Sequence, residues 1–227
     1  MTDNSKVEEK IYCFWTGDNP ITPNRLKGLE TMRKNLGVPI EFLDKKGIEE
    51  RILPEAPLHE GYKYLSCNHK SDYLRCYFMH HFGGGYADIK PYSKDNNWKQ
   101  CFDYINRYGE IEIIGQHDSK GGIAAKELKT NLIAEVLLSC GWMICRPHSS
   151  FTEEWLSRVN RMLDEKLSEL RKFPATEPLG GHGYPIRWGG VCGEIFHRWQ
   201  HEFFMRNMVG IRNCLRTGWL GFGVSYR

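Results

Sequence analysis

Between His69 and Tyr92 the hydrophobic period of the chain changes from helical to extended. Leu74, Tyr77, Phe78 and His81 or Phe82 fall at helical spacing, which predicts a helix with one buried face and with Asp72 and Arg75 as neighbours three residues apart. Gly83, Gly84 and Gly85 then end it, because glycine adopts the left-handed conformation a helix C-terminus asks for. Tyr86 to Ile89 is short, apolar and β-prone, and predicts a strand with Asp88 and Lys90 at its end. In an α/β sheet the carboxyl ends of the strands face the ligand crevice.

The same reading extends to both sides. Ile11 to Trp15 predicts a strand closed by the turn formers Thr16 to Pro20. Leu26, Leu29, Met32 and Leu36 suit a helix from Asn24 that Gly37 caps, and Val38 to Leu43 suits a second strand, so a β-α-β unit opens the chain. Asp44 to His59 predicts a short helix and a loop, Trp98 to Tyr108 a turn of helix, Glu110 to Gly115 a strand, and His117 to Gly122 a flexible polar loop. Ile123 to Leu138 has helical composition and Gly141 to Cys145 is a compact apolar strand. Phe151 to Lys172 is the longest amphipathic stretch, with Trp155, Leu156, Val159, Met162, Leu163, Lys166, Leu167 and Leu170 on one broad stripe. Phe173 to Gly193, rich in Pro and Gly, predicts a long structured loop, and loops of this length in a compact domain are usually functional or disordered. Glu194 to Arg206 reads as a helix and Met208 to Arg227 as one or two short strands. Strands alternating with helices predict one α/β domain over residues 1–227, with a mainly parallel sheet flanked by helices.

Composition narrows the class. Hydrophobic content of 41% with 13% aromatic residues suits a globular chain, and no apolar run reaches the ~20 residues of a membrane span. The start, Met1 to Lys10, is polar, so the expectation is a soluble, cytoplasmic protein without a membrane span. A net charge of +3 with scattered Lys and Arg gives no nucleic-acid footprint. The eight cysteines form no CxxC pair and sit mostly in apolar segments, as reduced buried thiols do. Cys67, His69, Cys76, His80 and His81 come nearest to metal-ligand spacing, but a helix points several of them in different directions.

Three stretches in order, IYCFWTGDNPITP, KSDYLRCYFMHHFGGGYADIKPY and WMICRPHS before a long helix, resemble the small glycosyltransferases of GT-A fold. The closest groups are the capsular polysaccharide synthesis type and enzymes with a DXD-containing sugar-binding region. The resemblance spans about residues 10–200. It implies a hexosyl- or deoxyhexosyltransferase that moves a sugar from a UDP- or GDP-sugar donor to a hydroxyl of a glycan or polysaccharide acceptor. By the same resemblance Trp15, Thr16 and Gly17 contact the nucleotide, Asp72 and Arg75 reach the donor sugar or its phosphate, and Gly84, Gly85 and Tyr86 belong to the donor site. Asp88 is then the first acid of the metal motif for Mn2+ or Mg2+, but where the family has Asp-x-Asp this chain has Asp88-Ile89-Lys90.

A nucleoside diphosphate leaving group gains negative charge in the transition state, and a metal or a positioned cation can stabilise it. Three readings follow. Lys90 supplies the charge itself while Asp88 binds a ribose or sugar hydroxyl; or an ion persists on Asp88 with His182 in its shell; or the site binds donor and transfers poorly. An inverting transfer needs a base near the acceptor hydroxyl, for which Glu194 is the first candidate, with Asp118 and His182 behind it, whereas a retaining transfer can proceed without one. Trp188, in the Gly-rich loop, is the candidate sugar platform on the acceptor side. Each residue also has an ordinary account: an Asp72–Arg75 surface ion pair, a helix-ending glycine, a Glu favoured in a first helical turn. The alternatives to an enzyme are a non-catalytic module binding nucleotide-sugar or carbohydrate, and a zinc-stabilised interaction domain built on Cys67 to His81.

Overall fold

The structure is a computed structural model that describes residues 6–94, 98–119, 121–129, 136–205 and 211–213. The strands are β1 (Ile11–Phe14), β2 (Ile40–Leu43), β3 (Gly84–Ala87), β4 (Ile113–His117), β5 (Leu138–Cys145) and β6 (Ile211–Asn213), and they form one sheet in the order β2-β1-β3-β5-β4-β6. Among the described residues six α-helices accompany them: α1 (Pro23–Asn35), α2 (Lys45–Glu49), α3 (Cys67–His81), α4 (Lys99–Arg107), α5 (Ser150–Lys172) and α6 (Gly193–Met205). Short 3-10 turns lie at Glu60–Tyr64 and Lys126–Leu128. Among the described residues no helix is long and apolar enough to cross a membrane.

Because side chains alternate across a strand, each strand feeds two cores. Tyr12 and Phe14 of β1, Tyr86 of β3, and Met143 and Cys145 of β5 pack with α3, α5 and α6 on one face. Ile11, Cys13, Ala87, Trp142 and Ile144 pack with α1 and α4 on the other. The stripe on α5 buries Phe151, Trp155, Leu156, Val159, Leu163 and Leu170, each worth ~1.5–3 kcal/mol when fully removed from water. At its start the Ser149 hydroxyl accepts from the Thr152 N–H, and the Glu112 carboxylate accepts from the Phe151 N–H at 2.6 Å, so an anion sits where the helix dipole favours one.

The sheet is mainly parallel between neighbours, as expected, but mixed: β1–β2, β1–β3 and β4–β6 are parallel, while β5 runs antiparallel to both β3 and β4, which was not foreseen, and two further expectations change. Nothing in an apolar run encodes direction, since a strand buried on both faces looks the same either way. Second, Ile123 to Leu138 is not one helix: its described part holds the 3-10 turn at Lys126–Leu128, and Leu138 already opens β5, while 130–135 lie outside the described residues. Third, β3 begins at Gly84 rather than Tyr86: Gly83 at φ 63° and Gly84 at φ 81° make the turn, and Gly84 already pairs with Cys145. The tail expectation, Met208 to Arg227, meets β6 and otherwise lies outside the described residues.

Candidate functional site at the carboxyl end of the sheet

β1 and β3 are adjacent and parallel, yet α1, which leaves β1, covers one face and α3, which precedes β3, covers the other. The crevice between their carboxyl ends is a topological switch point, where α/β sheets bind ligands. The Trp15–Gly17 turn forms one wall. There Trp15 Nε1 donates to the Asn19 carbonyl at 2.7 Å, and the buried Thr16 hydroxyl donates to the Cys67 carbonyl at 2.6 Å, tying the turn to the start of α3.

The Asp88 segment forms the other wall and is held from three sides. Its N–H donates to the Gly141 carbonyl of β5 at 2.9 Å, the Tyr92 hydroxyl donates to its carbonyl at 3.2 Å, and Arg25 of α1 donates to the Ile89 carbonyl. Gly28 of α1 lies so close to Lys90 that a Cβ there would meet its backbone at 3.2 Å, so α1 seats directly on the motif.

Arg75 is the hub. Its Nη2 lies 2.9 Å from Asp72 Oδ1, 3.0 Å from the Tyr86 hydroxyl and 3.3 Å from Asp88 Oδ1, and its Nη1 donates to the Cys140 carbonyl. The Tyr86 hydroxyl donates to Asp88 Oδ1 at 2.8 Å, and Lys90 Nζ lies 2.9 Å from Asp88 Oδ2 and 5.6 Å from the Trp142 ring centroid. These contacts separate the two acids. Burial would raise the Asp88 carboxyl, but Lys90 and Arg75 bring it down to about 2, so it stays ionised. Burial of Asp72 outweighs the pull of Arg75, and its carboxyl is raised.

That geometry also tests the metal expectation. Asp88 Oδ1 already faces Tyr86 and Arg75, and Oδ2 faces Lys90, so a divalent ion on this carboxylate would sit against an ammonium and a guanidinium. His182 is exposed, and no described hydrogen bond or ion pair joins it to Asp88. The pair Asp88 and His182 does not fit a resident Mn2+ or Mg2+.

The remaining candidates fall in different places. Gly84 and Gly85 do not line the crevice: a Cβ on Gly85 would lie 2.8 Å from Ile11, and one on Gly84 3.1 Å from the Lys10 carbonyl, so their smallness lets β3 approach β1. Glu194 is buried and held by Arg187, with Arg198 at 3.6 Å, which leaves its carboxylate committed to ion pairs. Asp118, just past β4, is raised by burial and feels the charge of Lys90. Behind it lies the fully buried His197 of α6, whose Nδ1 accepts from the Ala124 N–H at 3.0 Å and whose Nε2 is 3.7 Å from Asp118 Oδ2. Burial holds His197 down to about 4, so it is neutral near pH 7. Trp188 is 64% exposed, while its carbonyl, 3.2 Å from His69 Nε2, is fixed to α3.

Sequence reasoning missed Cys140, His197, Tyr184 and the two arginines around Glu194. Tyr184, whose hydroxyl is 2.8 Å from His69 Nδ1, clamps the Gly-rich loop to α3, and its only signal was an aromatic inside that loop. Cys140 acts through its backbone carbonyl, for which residue type carries no signal. The zinc expectation at Cys67 to His81 is also redrawn: His69 is occupied at both ring nitrogens, the Cys76 thiol is buried and pushed up, and His80 and His81 group instead with His148. The sequence matches no model of a known protein family, and no curated protein matches it either.

Proposed function

We propose that the chain is a GT-A-like glycosyltransferase that takes a nucleotide-sugar donor and passes the sugar to a hydroxyl of a glycan or polysaccharide. The observation that carries this reading is an ionised Asp88 held between Arg75 and Lys90 at the switch point of the sheet. The mixed sheet is compatible with the GT-A arrangement, and the Thr16 hydroxyl ties the Trp15–Gly17 turn to the start of α3.

In this reading Lys90 exchanges Asp88 for the donor diphosphate, and the released Asp88 oxygen accepts from a sugar or ribose hydroxyl. The acceptor oxygen bonds to the anomeric carbon, the bond from that carbon to the phosphate oxygen breaks, and its electron pair leaves with the nucleoside diphosphate. Lys90 offsets the charge that develops there. For an inverting transfer Asp118 suits the base better than Glu194, because burial raises its carboxyl towards useful basicity while Glu194 is neutralised by arginines. No metal is required at Asp88.

The test is a panel of UDP- and GDP-sugars assayed for binding by thermal shift and for transfer or donor hydrolysis. Turnover above background that Asp88→Asn abolishes supports the enzyme. Binding without turnover supports the second reading, a nucleotide-sugar-binding module, for which the full mutual neutralisation of Asp88 and Lys90 is the motive. Neither binding nor turnover with any donor contradicts both.

A further inference from the structure

The opposite end of β3 carries a second cluster. α3 ends in His80 and His81, and the β5–α5 turn brings His148 beside them, so that a ring nitrogen of each lies within 4.8 Å of the others. The ring centroids are 4.7 Å apart for His80 and His81, 5.1 Å for His80 and His148, and 6.0 Å for His81 and His148. We propose that His80, His81 and His148 form a binding site for one divalent late transition metal ion, Zn2+ in the first instance, with water completing its coordination.

The backbone builds this cluster independently of any ion. β3 and β5 pair with Gly84 opposite Cys145, so the chain ends that carry His81 and His148 are registered by the sheet. Gly83 closes onto Pro147, where a Cβ would come within 2.5 Å of the ring, and the His148 N–H donates to the His80 carbonyl at 2.8 Å. His148 itself sits at φ 51°, the only positive value at a non-glycine among the described residues.

The side chains are prepared in the same direction. His80 Nδ1 lies 3.2 Å from the Thr152 hydroxyl, which is itself 3.1 Å from both the Ser149 carbonyl and the Ser149 hydroxyl, so a fixed hydroxyl pair at the start of α5 orients the His80 ring. A hydrogen bond to the far nitrogen of a ligating imidazole is the usual way its tautomer and orientation are set. Burial and the neighbouring rings lower His80 and His81, which keeps them in the neutral form that ligates. The C-terminal end of α3 adds a partial negative charge that favours a cation. Three imidazoles suit Zn2+, Ni2+ or Cu2+ better than Mg2+ or Ca2+, which prefer oxygen.

This inference does not depend on the proposed activity, and its test reads metal content and melting temperature. Untagged protein is stripped with chelator, then titrated with zinc chloride by calorimetry and scanned for thermal unfolding. Saturable binding of one zinc per chain is expected, with a rise of about 5 °C at a hundredfold excess over Kd. His148→Asn, which tolerates the left-handed backbone, and His81→Asn abolish both signals; Thr152→Val weakens affinity by roughly 10–100-fold; His182→Asn changes nothing. Absence of saturable binding overturns the proposal. So does binding that survives both His148→Asn and His81→Asn, which marks adventitious zinc.

Discussion

The two ends of β3 hold opposite solutions to burying polar groups. At the carboxyl end, Asp88, Arg75 and Lys90 carry formal charges that answer one another within 2.9 to 3.3 Å, and the carboxyl of Asp72, raised by burial, lies against Arg75. At the amino end, burial above all, and then the neighbouring rings (His81 and His148 for His80, His148 for His81), oppose protonation of His80 and His81. The first is a set of charges waiting for a ligand that can exchange with them. The second is a set of lone pairs without a positive partner. A polar ligand such as a diphosphate suits the first, and a metal cation suits the second. The same hydrogen-bonded strand pair, β3 with β5, fixes both.

The largest effect should come from breaking the charged end at its hub. Arg75→Met leaves the carboxylates of Asp72 and Asp88 without their shared guanidinium and should cost about 3–5 kcal/mol in urea unfolding, with loss of donor binding. Lys90→Ala removes a more exposed cation. It should leave stability within about 1 kcal/mol but lower kcat by roughly 10²–10³-fold, which steady-state kinetics would read. An equal fall in stability for the two variants would erase the distinction between a structural hub and a ligand-exchanging lysine.

Acid titration sharpens the contrast between neutral and charged groups. The folded chain holds His197 near 4 against an ordinary value of 6.5, so below pH 6.5 the unfolded state takes up a proton that the folded state refuses. The His197 share of stability should therefore fall by about 3 kcal/mol as pH drops from 6.5 to 4, and His197→Gln should remove that share while leaving the one carried by His80 and His81. Asp88 behaves in the other sense and lower range: its contribution is present above its ordinary 3.8 and is lost as pH falls towards 2. Denaturant midpoints across pH 2 to 8 would separate the two. The smallest effect belongs to Trp188→Ala, with stability unchanged within about 0.5 kcal/mol and an acceptor KM raised about threefold to tenfold.

The legible parts of the chain were those where local pattern and tertiary demand agree. α5 is a helix with its buried face where the periodicity placed it, and α3 is a helix where expected, although it buries Asp72 through Met79 around most of its circumference rather than on one face. The strand end at Asp88 was legible for the same reason, with glycine before it and proline after. What stayed hidden depends on which way a strand runs. Only the antiparallel course of β5 brings the Cys140 carbonyl to Arg75 at one end and His148 to His80 at the other. Glycine was readable as a turn at Gly83 and Gly84, both at positive φ, yet the close approach of Gly84 and Gly85 to β1 is strand packing, which composition cannot tell from ligand approach. Glu194 looked like a free acid at a helix start because Arg187 and Arg198 give no sequence sign that they converge on it.

The central claim is that Lys90, rather than a metal on Asp88, answers the diphosphate of a nucleotide-sugar donor. Its most direct test measures donor turnover by wild type and Lys90→Ala in excess EDTA, with Mn2+ or Zn2+ added back separately. Wild-type turnover that persists in EDTA and is lost in Lys90→Ala is the predicted result. Loss in EDTA that Zn2+ alone restores would implicate the histidine cluster, whereas loss that Mn2+ restores, with Lys90→Ala still active, would contradict the account.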